Sequence, residues 1–592
     1  MNFKSLKSAI TLFVVIGMFF TAFISCDSKR PKKEFVTFEE MADPTNDTLS
    51  YWSDVPTGLQ SSFITIDLRA PKSVAPEVEI RKSEKVTGWK GEKVSAQILL
   101  WTTSDVNQVE LEFDDFVSDA GSIPSSAAQA RFVRYVMTDE FAEGCGHRKP
   151  EDYAASLSPD MLDNLDNFNI EANTVRPVWL TIDIPSDAAA GSYKGKLNLY
   201  AERDFVEDFE IEIEVVDQLL PEPSEWVYHL DLWQHPSAVA RVHNLEMWSD
   251  AHFEKMRPIM KMLADAGQKV ITATLNKDPW NNQSFDAYAD MIVWTKNEDQ
   301  SWSFDYTVFD KWVEFMMDLG VTDMINCYSL LTWNNQVHYN DMEKKELVTL
   351  ELKAQSDEYA EFWSVFLKDF TQHLKAKGWL EITNIAMDER SPADMQAALK
   401  VLATSAPELG ISLADNHKSY KEYPGIKDIS VGDNSKVDKE DIISRRAEGL
   451  NTTWYVCCAD PFANMFTFSE PAEAVYAGWH TVAADLDGML RWAYNSWVEN
   501  PLTDSRYRTW PAGDTYIVYP DARSSIRFER LIEGIQDAEK IRILREKYSE
   551  ENTAESLAKL NELEETIAYF YTLEPSEDWN ERLNDAKTLL NN

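Results

Sequence analysis

The chain has 592 residues, more than one hydrophobic core usually serves, so two domains with appendages are expected. Hydrophobic residues at 44% and charged residues at 27% describe a folded protein rather than a disordered one. A formal net charge of -43 argues against nucleic acid, whose phosphates select Lys and Arg, and against electrostatic docking on anionic lipid; a neutral ligand fits better.

Lys4 and Lys7 precede an apolar stretch from Ala9 to Ile24, too short and wrongly flanked for a spanning helix. It ends in Phe23-Ile24-Ser25-Cys26, and a polar run starts at Asp27. This resembles a bacterial lipoprotein signal, which implies that residues 1–25 are removed and that Cys26 becomes the acylated first residue. An ordinary signal peptide with an incidental Cys is the alternative. The lipoprotein reading places the mature chain in the cell envelope, on the periplasmic or cell-surface face of a bacterial membrane, held by lipid and not threaded through the bilayer. Residues 26–60 are polar and read as a tether.

From 61 to 220 the pattern is β-like. Phe63-Ile64-Thr65-Ile66-Asp67-Leu68, Val94-Ser95-Ala96-Gln97-Ile98-Leu99 and Phe209-Glu210-Ile211-Glu212-Ile213-Glu214 alternate apolar with polar residues. Short alternating strands between turn residues predict an all-β sandwich. Pro221-Glu222-Pro223 marks the boundary, and the rhythm then becomes strand followed by helix. Candidate strands lie near 227–232, 269–275, 323–329, 382–388, 409–414, 426–431, 451–458 and 488–494. Amphipathic stretches separate most of them: Ser249–Ala266, Phe309–Leu319, Asp357–Ala376, Pro392–Thr404 and Pro471–Ala484. The connection between the fifth and sixth is short and weakly helical. Such units over 221–523 predict an α/β fold, a (β/α)8 TIM barrel. A doubly wound open sheet is the alternative, and no Gly-rich phosphate loop supports it. Residues 524–592 read as a C-terminal helical extension of two or three helices.

Besides Cys26, the cysteines are Cys145, Cys327, Cys457 and Cys458, too sparse for a disulfide framework. Cys457 and Cys458 read as free thiols beside a core or pocket. No HExxH or paired-ligand spacing, no GxSxG elbow and no nucleotide fingerprint is present, so neither a metal nor a cofactor is expected.

In a barrel of this kind chemistry gathers at the C-terminal ends of the strands. The fourth strand runs Asn384-Ile385-Ala386-Met387 straight into Asp388-Glu389. Adjacent carboxyls after an apolar strand are costly unless they face the open mouth. Arg390-Ser391-Pro392 ends the strand and frees Glu389 to turn toward the same pocket, which makes Asp388 and Glu389 the catalytic candidates. The bland alternative is an acidic helix start at Ser391-Pro392. Other strand ends supply Trp233, His235, Asn326, Tyr328, Tyr455, Trp492, Tyr494 and Asn495 as binding candidates. Aromatic faces stack on sugar rings, and Asn, Tyr and His direct hydrogen bonds to hydroxyls.

The segments Ile385–Arg390, Leu490–Asn495, Gly513–Pro520 and Ser525–Asp537 resemble glycoside hydrolase family 123, and the likeness spans nearly the whole mature chain. The resemblance implies a glycan substrate. It also implies a retaining β-N-acetylgalactosaminidase in which the substrate's own 2-acetamido oxygen attacks the anomeric carbon. On that pattern Asp388 orients the acetamide and stays charged in the better hydrogen-bonded setting. Glu389 is the acid and then the base. Asp514 in the third segment reads as part of a structural turn, and the fourth segment as helix packing with buried ion pairs. The rival readings are a glycosidase of other sugar specificity, such as a β-hexosaminidase, and a non-catalytic surface glycan-binding lipoprotein. Protein partners are not specified by the sequence.

Overall fold

The computed structural model describes residues 30–591 except 36, 46–50, 140–143, 147–148, 150–152 and 433–435; the signal segment and Cys26 lie outside the described residues. Two sheets form the N-terminal sandwich. One holds Gln60–Ile64, Lys93–Thr102, Thr174–Asp183, Ala128–Thr138 and Ser156–Leu162, in that spatial order. The other is built on Ser83–Lys90, Asp204–Leu219, Gly191–Ala201, Val106–Phe113 and Phe168–Ile170. Period-two alternation buries Phe63, Ile98, Leu100, Val178 and Leu180 of the first sheet against Leu197, Leu199, Phe209, Ile211 and Ile213 of the second.

The second domain is a parallel eight-stranded barrel. Its strands are His229–Leu232, Val270–Thr274, Met324–Tyr328, Thr383–Asp388, Gly410–Asp415, Asp428–Gly432, Asn451–Tyr455 and Gly488–Arg491. They neighbour one another in chain order around the ring, which rules out the doubly wound sheet. Between the second and first strands closure narrows to one bridge, Leu230 with Gln268, and the Lys269 N–H donating to the Leu230 carbonyl at 3.0 Å. Helix starts follow local chemistry. The Ser249, Ser391 and Ser525 hydroxyls accept from the N–H groups of His252, Asp394 and Phe528, and Glu470 and Glu473 form a reciprocal capping box ahead of Pro471–Ala483. The weak fifth-to-sixth connection holds only a short 3-10 turn, Ser419–Lys421.

One element was not foreseen. A four-stranded sheet, Trp302–Asp305, Val293–Lys296, Gln336–Asp341 and Glu346–Glu351, grows from the connections after the second and third barrel strands. Its Trp294 stacks on Phe362 and Phe366 of helix Asp357–Lys377, with centroids 4.7 and 4.4 Å away. Its outer face stays in water, where Val293 and Leu347 are exposed. Among the described residues no helix is long and apolar enough to cross a membrane.

The two domains share a buried polar seam. Arg527, near the start of helix Ile526–Glu551, donates to both oxygens of Asp160 on the sandwich at 2.9–3.0 Å, and the Tyr519 hydroxyl reaches the same carboxylate at 2.5 Å. Arg131 of the sandwich meets Glu529 at 2.9 Å. The reading of Cys458 as a free thiol is corrected. Cys145, on a sandwich loop, is disulfide-bonded to Cys458 beyond the seventh barrel strand, with Cα atoms 5.2 Å apart. Cys327 and Cys457 remain free.

Candidate active site

Strand four is buried through Met387 and ends at Asp388, level with Ala414 of strand five. The Glu389 N–H still donates to the Ala414 carbonyl at 2.9 Å, but its φ of 38° turns the chain out of the strand. A left-handed backbone is uncommon for a residue other than Gly. Here it cancels the alternation that would send Glu389 to the opposite face. Both carboxyls therefore line one cavity of about 270 Å³ at the barrel mouth.

Aromatic side chains surround the pair. Trp280 and Trp333 each donate an indole N–H to Asp388 Oδ2 at 3.1 Å. The Tyr455 hydroxyl donates to Glu389 Oε1 at 2.5 Å. Trp233 packs on Trp280 at 4.9 Å and on Tyr328 at 4.7 Å. On another wall the Trp492 indole donates to Asp514 Oδ2 at 3.2 Å, while the buried Arg491 guanidinium grips Oδ1 at 3.2 Å. Asp514 is thus more than a turn residue, since it ties a cavity-lining Trp to the barrel interior. Trp510 stands edge-on to Trp492 at 5.8 Å.

Burial pushes the Asp388 carboxyl up to about 7, with the Glu389 charge adding to the rise and the two indole donors opposing it. Asp388 has the hydrogen bonds expected of it, but desolvation outweighs them, so the expected plainly ionised Asp is not what the cavity provides. Burial, then the Glu389 charge, raises the Tyr455 hydroxyl well above its usual range.

Of the binding candidates, Trp233, Tyr455 and Trp492 line this cavity. Five do not, and each is held elsewhere. Tyr328 is buried beneath Trp233 and Trp280. His235 is fully buried, stacked on Tyr288 at 3.7 Å and bonded through Nδ1 to the Ser496 hydroxyl at 2.9 Å; burial holds its pKa down at about 3. Asn495 accepts from the His235 N–H and donates to its carbonyl, pinning the first and eighth strand ends together. Tyr494 points outward and donates to the Ile259 carbonyl at 2.8 Å. Asn326 sits deeper in the barrel, donating to Ser412 Oγ and Asp428 Oδ2 at 3.0 Å.

The sequence reading missed Trp280, Gln283, Trp333, Trp510 and Cys145 on the wall. All five stand on irregular connections, where no periodicity marks a side chain's direction. Sulfur atoms of Cys145, Cys457 and Cys458 gather within 4.8 Å beside the cavity. Two are joined to each other, and burial pushes the remaining Cys457 thiol up to about 12, far from the thiolate that a metal needs.

A parallel barrel whose mouth holds two carboxyls inside an aromatic cavity has the makings of an enzyme acting on sugars. The glycoside hydrolase 123 catalytic-domain model matches residues 233–544, and the glycoside hydrolase 123 N-terminal-domain model matches 63–201. The chain belongs to glycoside hydrolase family 123. It is similar, at 29% identity and a TM-score of 0.80, to a family 123 glycoside hydrolase from Clostridium perfringens solved to detail glycolipid glycan hydrolysis; the match covers 90% of this chain and 98% of that one. Two remoter likenesses are a Bacteroides ovatus GH5 xyloglucanase (9% identity, TM-score 0.28, 77% of this chain and 98% of that one) and a family 39 glycoside hydrolase from Bacteroides cellulosilyticus (10%, 0.31, 64% and 76%). No curated protein matches the chain.

Proposed function

We propose that this glycoside hydrolase releases terminal β-linked N-acetylgalactosamine from glycans with retention, using the substrate's acetamide as nucleophile. The observation that carries the reading is that both carboxyls come from consecutive residues on one wall. Retaining enzymes with their own nucleophile hold two carboxyls on opposite faces of the sugar about 5–5.5 Å apart, and inverting enzymes about 6.5–9.5 Å apart. Two residues joined by one peptide bond suit a different division of labour.

Asp388, fixed through Oδ2 by two indoles, has Oδ1 left to accept from the acetamide N–H, which aims the acetamide oxygen at the anomeric carbon. That oxygen forms the new C–O bond as the glycosidic bond breaks, and Glu389 gives its proton to the departing oxygen. Asp388 balances the positive charge of the resulting oxazolinium. Glu389, now a carboxylate, takes a proton from the water that opens this ring at the anomeric carbon. The Trp233, Trp280 and Trp492 faces supply apolar walls for the sugar and its acetyl methyl. The cavity volume of about 270 Å³ lies at the lower end for small-molecule sites, which favours one terminal sugar over a threaded chain. Glycans of glycolipids, the class named for the Clostridium perfringens relative, belong among the substrates to be tried.

We further propose that the chain is anchored in the bacterial cell envelope through a lipid on Cys26, a reading supported by the sequence of its first 26 residues.

The test is release of p-nitrophenol from the β-N-acetylgalactosaminide and the β-N-acetylglucosaminide. Hydrolysis of the galacto substrate, abolished by Asp388→Asn and lowered in Glu389→Gln, most severely where the leaving group needs a proton, supports the mechanism. Full turnover by Asp388→Asn overturns it.

A further inference from the structure

The first described residue, Arg30, is not loose. Its backbone N–H donates to the Arg203 carbonyl at 3.2 Å, and the Arg203 guanidinium donates back to the Arg30 carbonyl. The Arg30 guanidinium lies 4.1 Å over the Tyr200 ring and pairs with Glu110 at 3.3 Å and with Glu112. These contacts pin the chain to the tip of one hairpin, Gly191–Ala201 with Asp204–Leu219. Beside that tip Phe205 is 56% exposed and Val206 39% exposed.

We infer that this hairpin tip is the face the protein turns to the lipid surface, with Phe205 and Val206 seated among the headgroups. The inference rests on the proposed anchor at Cys26. Cys26 and Arg30 are four residues apart, and a fully extended chain spans at most about 14 Å over that distance. An acyl chain on Cys26 therefore holds Arg30, and the hairpin tip it is pinned to, within about 14 Å of the bilayer surface, wherever the rest of the molecule leans. Large apolar side chains at that height lose less by leaving water than by staying in it.

Charge selects the kind of membrane. Arg30, Lys33 and Arg203 stand near the tip, but Glu202, Asp204, Glu207 and Asp208 flank it, and the chain as a whole carries -43. That mixture has no basic patch for anionic lipid, so the surface fits neutral or zwitterionic headgroups. Since the lipid anchor supplies the binding, Phe205 and Val206 set orientation rather than affinity. Trp89, paired with Val216 some ten residues down the same strand, donates to the Leu590 carbonyl at 2.9 Å, so the C-terminal helices stand at the opposite end.

The test uses the full-length acylated protein in phosphatidylcholine vesicles containing nitroxide-labelled phosphatidylcholine. An environment-sensitive fluorophore is placed at Phe205→Cys or, as the distal control, at Leu557→Cys, an exposed position on helix Ala554–Ile567. Labelled unsubstituted protein gives the background from Cys327 and Cys457. The expected result is quenching at 205 several-fold stronger than at 557. Equal quenching at the two positions in vesicle-bound protein overturns the docking surface and leaves the anchor standing. An N-terminal peptide that carries no lipid on Cys26 by mass overturns both.

Discussion

Trp280 and Trp333, 53 residues apart on separate irregular connections, donate their indole N–H groups to the same oxygen of Asp388. An indole N–H can only donate, so both favour the charged form of that carboxyl over the neutral one. They are the counterweight to a burial that pushes Asp388 up to about 7.

This balance sets a pH dependence. A carboxyl raised to about 7 is protonated below that pH, and in the proposed mechanism a protonated Asp388 cannot offset the charge of the oxazolinium. The kcat/KM of the galacto substrate is expected to fall as pH drops through about 7, not through the usual carboxylate range. In Trp333→Phe one donor to the ionised form is gone, so the acid limb moves to higher pH. A pH–rate profile of the two proteins checks this, and an unmoved or lowered limb in the variant counts against it.

Asp514 holds a buried Arg491 and a cavity-lining Trp492 together. Replacing it by Ala strands the guanidinium, and breaking a buried pair in this way costs about 3–5 kcal/mol. Asp514→Ala is expected to lower the denaturant midpoint and, in whatever protein still folds, to raise KM as Trp492 loses its tie. Urea unfolding together with Michaelis kinetics separates the two effects.

Glu40 gives a second pH signature, this time in stability. Burial favours its neutral form, but Arg176 at 2.6 Å, Lys72 at 2.8 Å and Arg134 at 3.3 Å more than offset it and hold the carboxyl at about 2. A folded-state value below the unfolded one near 4.5 adds stability that is fully present above about 4.5 and is lost as pH falls toward 2. The amount is about 3 kcal/mol. Unfolding free energies measured from pH 6 down to pH 3 should drop in the unsubstituted protein and drop less in Glu40→Gln, which starts lower.

For the cysteines, non-reducing peptide mapping is expected to recover Cys145 linked to Cys458, with Cys327 and Cys457 taking alkylating agent only after denaturation or slowly. Cys458→Ser should cost about 2–5 kcal/mol, the upper range for a disulfide that closes a long loop. A peptide linking Cys145 to Cys457 instead would overturn the pairing.

The barrel was legible because its strands are short buried runs bounded by turn residues, and its helices open on Ser249, Ser391 and Pro471, whose capping chemistry can be read residue by residue. The Asp388-Glu389 pair was legible because two carboxyls after Ala386-Met387 have few inexpensive places to be. Three things were not. The sheet carrying Trp294 arises inside connections, with one face in water, so its strands carry only a weak pattern. Asn326 and Tyr494 lie near strand ends yet face the barrel interior and a helix, because layer and outward direction depend on the ring's stagger rather than on position from the strand end. Trp280 and Trp333 reach Asp388 from irregular loops, and only tertiary packing fixes where such a side chain points.

The bond between Cys145 and Cys458 closes a ring of chain that takes in the last part of the sandwich, the Pro221-Glu222-Pro223 junction and seven barrel strands. A single protease cut at any exposed loop within that ring yields two polypeptide ends but still one covalent molecule, with the sandwich and the barrel mouth fastened together. Such a clasp would let the enzyme be nicked at its interdomain junction without shedding its catalytic half.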